Sequence, residues 1–349
     1  MLALFLFEFM SKNLFKILAI LILTLNILSH SASSSEETEV VIIKLASPLD
    51  EPDIEISGLA WCGELLILLP QYPERFTGSN RSYFYTVSKS EILSYLNSSS
   101  RETKLRAQKL LVYENEIRDR MSFFEGFEAI ACEDNVIWLS IEAQNLLGTH
   151  QAYLVPAELD LAGSTPNISV RTDQIRYIKS QSGIHNKGEE AIVLHGEHLV
   201  SLHEVYDQRA VAFPKANRVN RVTGEQSSID ISHLPYRLTD ATSVDEDNRF
   251  WVINYQYSGD RFARGANDPL ATEYGKGASH KRSYNTERLV EYQFNNDRIE
   301  RTKEAPIQLL MTSKEGRNWE GIVRLDDMGF LIATDKHPKT IFGFVPFTR

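Results

Sequence analysis

Glu128 and Glu142 stand near the two ends of one apolar stretch, GFEAIACEDNVIWLSIEA (126–143). Burying a carboxylate is costly unless it meets a partner, so acids bracketing a hydrophobic hairpin call for a reason. Four other segments repeat the arrangement: ISGLAWCGELLILLPQ (56–71), EEAIVLHGEHLVSLHE (189–204), TDATSVDEDNRFWVIN (239–254) and WEGIVRLDDMGFLIATD (319–335). Aligned on a small residue near the start, the preceding position reads Ser57, Glu128, Glu190, Asp240 and Glu320. The end of the returning segment reads Gln71, Glu142, Glu204, Asn254 and Asp335. In an antiparallel hairpin the start of the first strand lies beside the end of the second, which puts both sets at one end of the fold.

Like charges brought together raise one another's pKa, and a bound cation relieves the conflict. A hard ion such as Ca²⁺ takes roughly six to eight oxygens, and Glu, Asp and Asn supply them, whereas no His/Cys set at zinc spacing is present. The expected cofactor is therefore a divalent cation, Ca²⁺ first. Its expected ligands are Glu128, Glu190, Asp240 and Glu320, with Glu142, Glu204 and Asp335 as catalytic groups that support the ion or orient water. Ser57 leaves one side of the set without a carboxylate. The competing role for all these acids is to accept backbone N–H bonds or to pair with basic neighbours, with no metal involved.

Basic residues flank the acids: Lys187 before Glu189, Arg237 before Asp240, Arg317 before Glu320, and Lys336 after Asp335. Cations around an acidic centre suit a metal-bridged phosphate or similar ester, so these four are the expected substrate-binding residues and the expected partner is a small anionic ester or phosphoester. Neutralising the adjacent acid explains any one of them equally well. The long segment 257–287 leaves from the same end, with Arg261 and Arg264 as its contacts if it serves as a lid. Among the histidines, His195 and His198 flank a turn at the far end, while His185 and His203 are secondary acid–base candidates. No G-x-S-x-G elbow is present, so serine-esterase chemistry has no support.

These residues need strands to position them. After residue 38 the apolar segments are short, alternating or β-branched and bounded by turn residues, which predicts an all-β fold. The one predicted helix is SKSEILSYLNSS (88–99), opened by a Ser cap with Glu91 three residues on. The aligned positions 57, 128, 190, 240 and 320 give an uneven long period of the kind produced by propeller blades with inserted loops. Two further strands are expected after each hairpin: SYFYTVS and QKLLVYE, QAYLVPA and DQIRYIK, AVAFPKA and SSIDIS, RLVEYQF and APIQLLM. The last hairpin has only TIFGFVPF, and EVVIIKLAS (39–47) is left over at the start. A β-propeller closed by its N-terminal strand accounts for both ends at once, with five four-stranded blades, or six if one is degenerate. A β-sandwich leaves the surplus strand unexplained.

The chain has 349 residues, 42% hydrophobic and 24% charged, with net charge −10, a globular composition that argues against nucleic-acid binding through a basic face. Lys12 and Lys16, an apolar run 17–28 and small residues near 29–32 read as a signal peptide over 1–32, with a single domain from 36 to 349. The apolar run is short for a membrane span, so a secreted or periplasmic monomer with no remaining span is expected. Cys62 and Cys132 are either buried filler or one bridge. Sequons at Asn80, Asn97 and Asn167 fall in predicted connections.

SGLAW, GFEAIA, NKGEEAI, RLTDATSVD and above all NWEGIVRLDDMGFLIATDKHPKTIFGFVPF give the chain its resemblance to the phytase-like family, named for an esterase-like activity of phytase. The resemblance spans essentially the whole chain after the leader, and it implies a propeller and a broad esterase or phosphatase label. The acidic motifs of the calcium-dependent propeller phytases are not matched residue by residue. Two functions stand: an exported metal-assisted hydrolase of an ester or phosphoester, or a non-catalytic exported propeller that binds a ligand or protein through the same face.

Overall fold

A computed structural model describes residues 36–349 apart from 52, 76–80, 114–116, 118–119, 122, 147–149, 164, 179–186, 258, 261–266 and 336. The segment 1–32 expected to be a signal peptide, Asn80, His185, Arg261, Arg264 and Lys336 lie outside the described residues.

Among the described residues twenty-four strands carry the chain. β1 (Glu37–Thr38) and β2 (Val41–Ile43) come first. Blade 1 is β3 (Ile56–Cys62), β4 (Leu65–Pro70), β5 (Ser82–Ser88) and β6 (Gln108–Tyr113). Blade 2 is β7 (Phe124–Glu133), β8 (Val136–Gln144), β9 (His150–Asp160) and β10 (Asn167–Val170), with β11 (Arg176–Ile178) also against β9. Blade 3 is β12 (Glu189–His195) and β13 (His198–His203), then, past the short β14 (Val205–Tyr206), β15 (Lys215–Asn220) and β16 (Gln226–Ile231). Blade 4 is β17 (Leu234–Ala241), β18 (Arg249–Gln256), β19 (Thr286–Asn295) and β20 (Arg298–Arg301), with β21 (Ile307–Leu309) bonded to β19 beyond it. Blade 5 is β22 (Trp319–Leu325), β23 (Gly329–Thr334) and β24 (Phe342–Pro346), completed by β2, which pairs Val41 with Phe344.

The closure by the N-terminal strand is as expected from its surplus at one end and the missing strand at the other. The leading strands touch in a closed circle, β3 to β7 to β12 to β17 to β22 and back to β3. Five hydrophobic clusters fill the five spaces between adjacent blades, with Phe84 edge-on to Phe127 and Trp251 edge-on to Phe330 among their contacts. Each blade therefore buries both faces, which is why its strands read as nearly continuous apolar runs.

Three strands differ from expectation: the third strand of blade 3 is Lys215–Asn220, not the segment AVAFPKA, and two outer strands lie elsewhere than expected. The fourth strand of blade 2 is Asn167–Val170, not the segment around DQIRYIK, and that of blade 4 is Arg298–Arg301, not APIQLLM. Both are short, and neither is an open edge: β10 lies between β9 and, in parallel, β6 of blade 1, and β20 between β19 and, in parallel, β16 of blade 3. Asn167 accordingly opens a strand, while Asn97 ends the helix. That helix, Lys89–Asn97, carries the expected capping box between Ser88 and Glu91 and buries Ile92 and Tyr95.

Cys62 and Cys132 form a disulfide, Cα to Cα 5.4 Å, between the innermost strands of blades 1 and 2. No helix among the described residues is long and apolar enough to cross a membrane.

Candidate functional site

Each innermost strand breaks its pairing register near its start. The irregularities fall between Ile56 and Gly58, Phe127 and Ala129, Glu189 and Ala191, Leu238 and Ala241, and Trp319 and Gly321. A bulge re-aims the extra side chain, and the extra residues are Ser57, Glu128, Glu190 and Glu320, with two, Thr239 and Asp240, in blade 4. The repeated small residue after the acid lets neighbouring strands approach where the bulge bends. Ser57 Oγ donates to the carbonyl of Phe127 at 2.7 Å, and Thr239 Oγ1 to that of Trp319 at 2.6 Å. Each of these carbonyls belongs to the residue before the next blade's acid. Thr239, rather than Asp240, is thus the counterpart of Ser57.

That shift by one residue corrects the expectation for Asp240. Its Oδ1 accepts the Ala241 N–H at 2.8 Å and its Oδ2 the Ile322 N–H at 2.7 Å, so this buried carboxyl ties blade 4 to blade 5. Burial pushes its pKa well above the usual carboxylate range against the pull of those amides. Asn254 is likewise structural: it donates to the carbonyls of Pro235 and Arg237 and accepts from Arg288 Nε at 2.7 Å.

The remaining acids share one mouth. Burial raises Glu128 well above the ordinary range, and Glu142, Glu320 and Asp335 add to the rise, while Gln71 Nε2 donates to it at 2.8 Å and pulls the other way. Glu190 is raised by burial and then by Glu204, Glu128, Glu142 and Glu320. Glu320 is raised by burial and by Asp335 and Glu204, with Arg237 and Asn318 opposing. Burial, Glu204 and Glu125 push Glu142 up to about 8. Six carboxyl groups, Glu128, Glu142, Glu190, Glu204, Glu320 and Asp335, thus feel one another across the channel entrance, as the hairpin geometry requires.

Among the described residues two cations balance them. Lys187 Nζ donates to Glu204 Oε1 at 3.1 Å within the buried wall. Arg237 Nη1 lies 3.1 Å from the same oxygen, and Arg237 also holds Asp260 through two bonds of 2.6 and 2.7 Å. The residue before it, Tyr236, has φ 72°, a sparsely populated conformation for a bulky side chain. Arg317 corrects a further expectation. It is buried against Glu287 through Nε and Nη2 at 2.9 and 2.7 Å and donates to the Leu310 carbonyl, which withdraws it from any ligand. His203 accepts the Val205 N–H on Nδ1 and lies 3.2 Å from the Lys187 carbonyl through Nε2, with burial lowering its pKa; it props the wall as a neutral ring.

Beside the acids a cleft of about 230 Å³ is lined by Arg237, Tyr255, Tyr257, Asn318 and His337. Asn318 Nδ2 donates to both Glu320 and Asp335 and so links the cleft to the acidic cluster.

The expected ligand set Glu128, Glu190, Asp240 and Glu320 does not close around a point. Among the described residues the group whose donor atoms all lie within 4.8 Å of one another is Glu125, Glu142 and His150. Five blades set the leading strands around a channel, whereas these three residues come from adjacent strands of one blade. The sequence signal for Glu125 and His150 was present: His150 opens the third strand of the blade, so the argument that paired Glu128 with Glu142 extends to it.

No protein-family model matches the chain, and no curated protein matches it. Among solved structures it is similar to the soluble aldose sugar dehydrogenase from Escherichia coli, at 10% identity over 89% of this chain and 100% of that one, TM-score 0.42. It is also similar to a GH43_1 enzyme from Xanthomonas citri, at 8% identity over 87% of this chain and 90% of that one, TM-score 0.47. A thermostable family-43 glycoside hydrolase gives 8% identity, 86% and 91% coverage and TM-score 0.47. At these identities and scores no residue role, substrate or cofactor carries over to this chain.

Proposed function

We propose that this propeller is a metal-assisted hydrolase of an anionic ester or phosphoester, acting at the acidic end of its channel. The observation that carries the reading is the cluster of six carboxyl groups at the channel entrance, Glu128 and Glu204 buried among them, balanced among the described residues by Lys187 and Arg237. A site so charged favours a divalent cation, Ca²⁺ first; Glu128, Glu190 and Glu320 stand too far apart to share one ion as they lie, and would have to draw together around it. The ion would supply a Lewis acid at the entrance.

The chain's own groups fit the rest of the chemistry. Arg237 lines the cleft, and its contacts with Asp260 and Glu204 leave guanidinium N–H bonds for an anionic oxygen. Asp335 raises Glu320, and the two share the Asn318 amide at the cleft wall, an arrangement that suits holding or passing one proton while a water attacks. Lys187, Glu204 and Glu142 back this wall. The signal-like leader and the disulfide support an exported protein, and the sequence motifs support a place in the phytase-like family; a monomer that acts on small molecules rather than nucleic acid completes the reading.

A panel of phosphoesters and carboxylic esters, run with and without chelator, tests it. Hydrolysis that is lost on chelation and restored by Ca²⁺, and that falls at least 100-fold in Glu320→Gln, is the expected result. Turnover indifferent to chelator refutes the metal role. Ca²⁺ binding without any hydrolysis would instead favour a ligand-binding propeller.

A further inference from the structure

The rim of blade 2 holds a second cluster of a different character from the acids that line the channel. Glu125 lies at the start of β7, Glu142 at the end of β8 and His150 at the start of β9. Register fixes the set: Gly126 faces Glu142 on one side, Ala152 faces it on the other, and Gln144 faces His150. One donor atom from each residue lies within 4.8 Å of the others. His150 Nδ1 stands 2.9 Å from Glu125 Oε2, with the imidazole 8% exposed. Gln144 Nε2 donates to the other oxygen of Glu125, the kind of supporting bond that fixes a ligand's orientation.

Independent of that geometry, Glu142 Oε1 is buried and has no hydrogen-bond partner among the described residues. It fits into a cradle left by Gly188, where an added Cβ would lie 1.5 Å from it. A carboxyl oxygen kept from water and given no donor is strongly unfavourable in its charged form, and a metal ion in that position removes the penalty.

We propose that Glu125, Glu142 and His150 bind a first-row divalent transition ion, Zn²⁺ in the first place. An imidazole with two carboxylates suits Zn²⁺ or Mn²⁺, whereas Ca²⁺ takes oxygen almost alone. Three protein ligands leave a coordination position for water or substrate, as in catalytic zinc sites. The site rests on the proposed function only through Glu142, which borders both clusters, and it names a second ion for the same entrance.

Tag-free full-length protein, stripped with chelator, is titrated with Zn²⁺ and separately with Ca²⁺, and folding of every variant is checked by its thermal transition. One Zn²⁺ per chain is expected. His150→Gln should weaken Zn²⁺ by more than the roughly 10- to 100-fold typical of losing an outer-shell partner, and leave Ca²⁺ affinity within about two-fold. Gly188→Ala should weaken Zn²⁺ by pushing Glu142 out of place. Absence of Zn²⁺ binding in the wild type, or full binding in folded His150→Gln, overturns the proposal. Ca²⁺ binding with no Zn²⁺ binding sinks this site and leaves the hydrolase reading standing; Zn²⁺ binding without hydrolysis does the reverse.

Discussion

Glu142 concentrates the conflict at the entrance. Its folded pKa of about 8 lies far above the ordinary 4.5, so between those values the native state holds a proton that the unfolded chain releases. The stability this represents is full below about pH 4.5 and is lost as pH rises through about 8, and Glu189, raised by burial to about 7, acts in the same sense. In chelator, the melting temperature should therefore fall by at least a few degrees from pH 5 to pH 8. Glu142→Gln should flatten that slope, and saturating divalent cation should oppose it. A melting temperature that climbs across the same range would contradict the assignment. The sequence marked Glu142 and missed its neighbours Glu125 and His150. Identity at a repeated position is visible in one chain, whereas proximity across three strands depends on register.

At the scale of elements, the bulge at the head of each leading strand decides which side chains face the channel. Ser57, Glu128, Glu190 and Glu320 follow the repeated pattern, but the longer irregularity in blade 4 substitutes Thr239 and turns Asp240 to the Ile322 and Ala241 amides. A sequence alignment cannot show that extra residue, because a shift by one position leaves the hydrophobic pattern intact while reversing what the side chain meets. Asp240→Ala strands two buried donors, each costing about 1–3 kcal/mol, and should lower stability by about 2–5 kcal/mol in a denaturant titration. Cation affinity in the same variant should stay unchanged. A large loss of Ca²⁺ binding with stability intact would restore Asp240 to the ligand set. The outer strands Asn167–Val170 and Arg298–Arg301 escaped notice for a related reason: a strand of four residues is too short to carry a periodic signal.

Over the whole molecule, β2 completes blade 5 and the disulfide joins blades 1 and 2, so the ring is held by a chain-end strand and by one covalent bridge. Cys62 and Cys132 enclose a sequence separation of 70 residues, which in the chain-entropy picture is worth about 4 kcal/mol. The paired Cys62→Ala/Cys132→Ala variant should unfold at clearly lower denaturant while binding divalent cation as before, since the bridge lies toward the turn end of the leading hairpin and the acids at the other. Cation affinity that falls with the bridge would mean the two ends are coupled. By itself the sequence determined the all-β class, the repeated hairpin, the closure by the N-terminal strand and the gathering of acids at one end. Those follow from period and strand direction, which are local. Only the tertiary structure decided that Cys62 meets Cys132, that Asp240 and Arg317 are consumed within the walls, and that Glu125, Glu142 and His150 come together. Each of those outcomes depends on register and on distances across strands and blades, and hydrophobic patterning leaves such distances free.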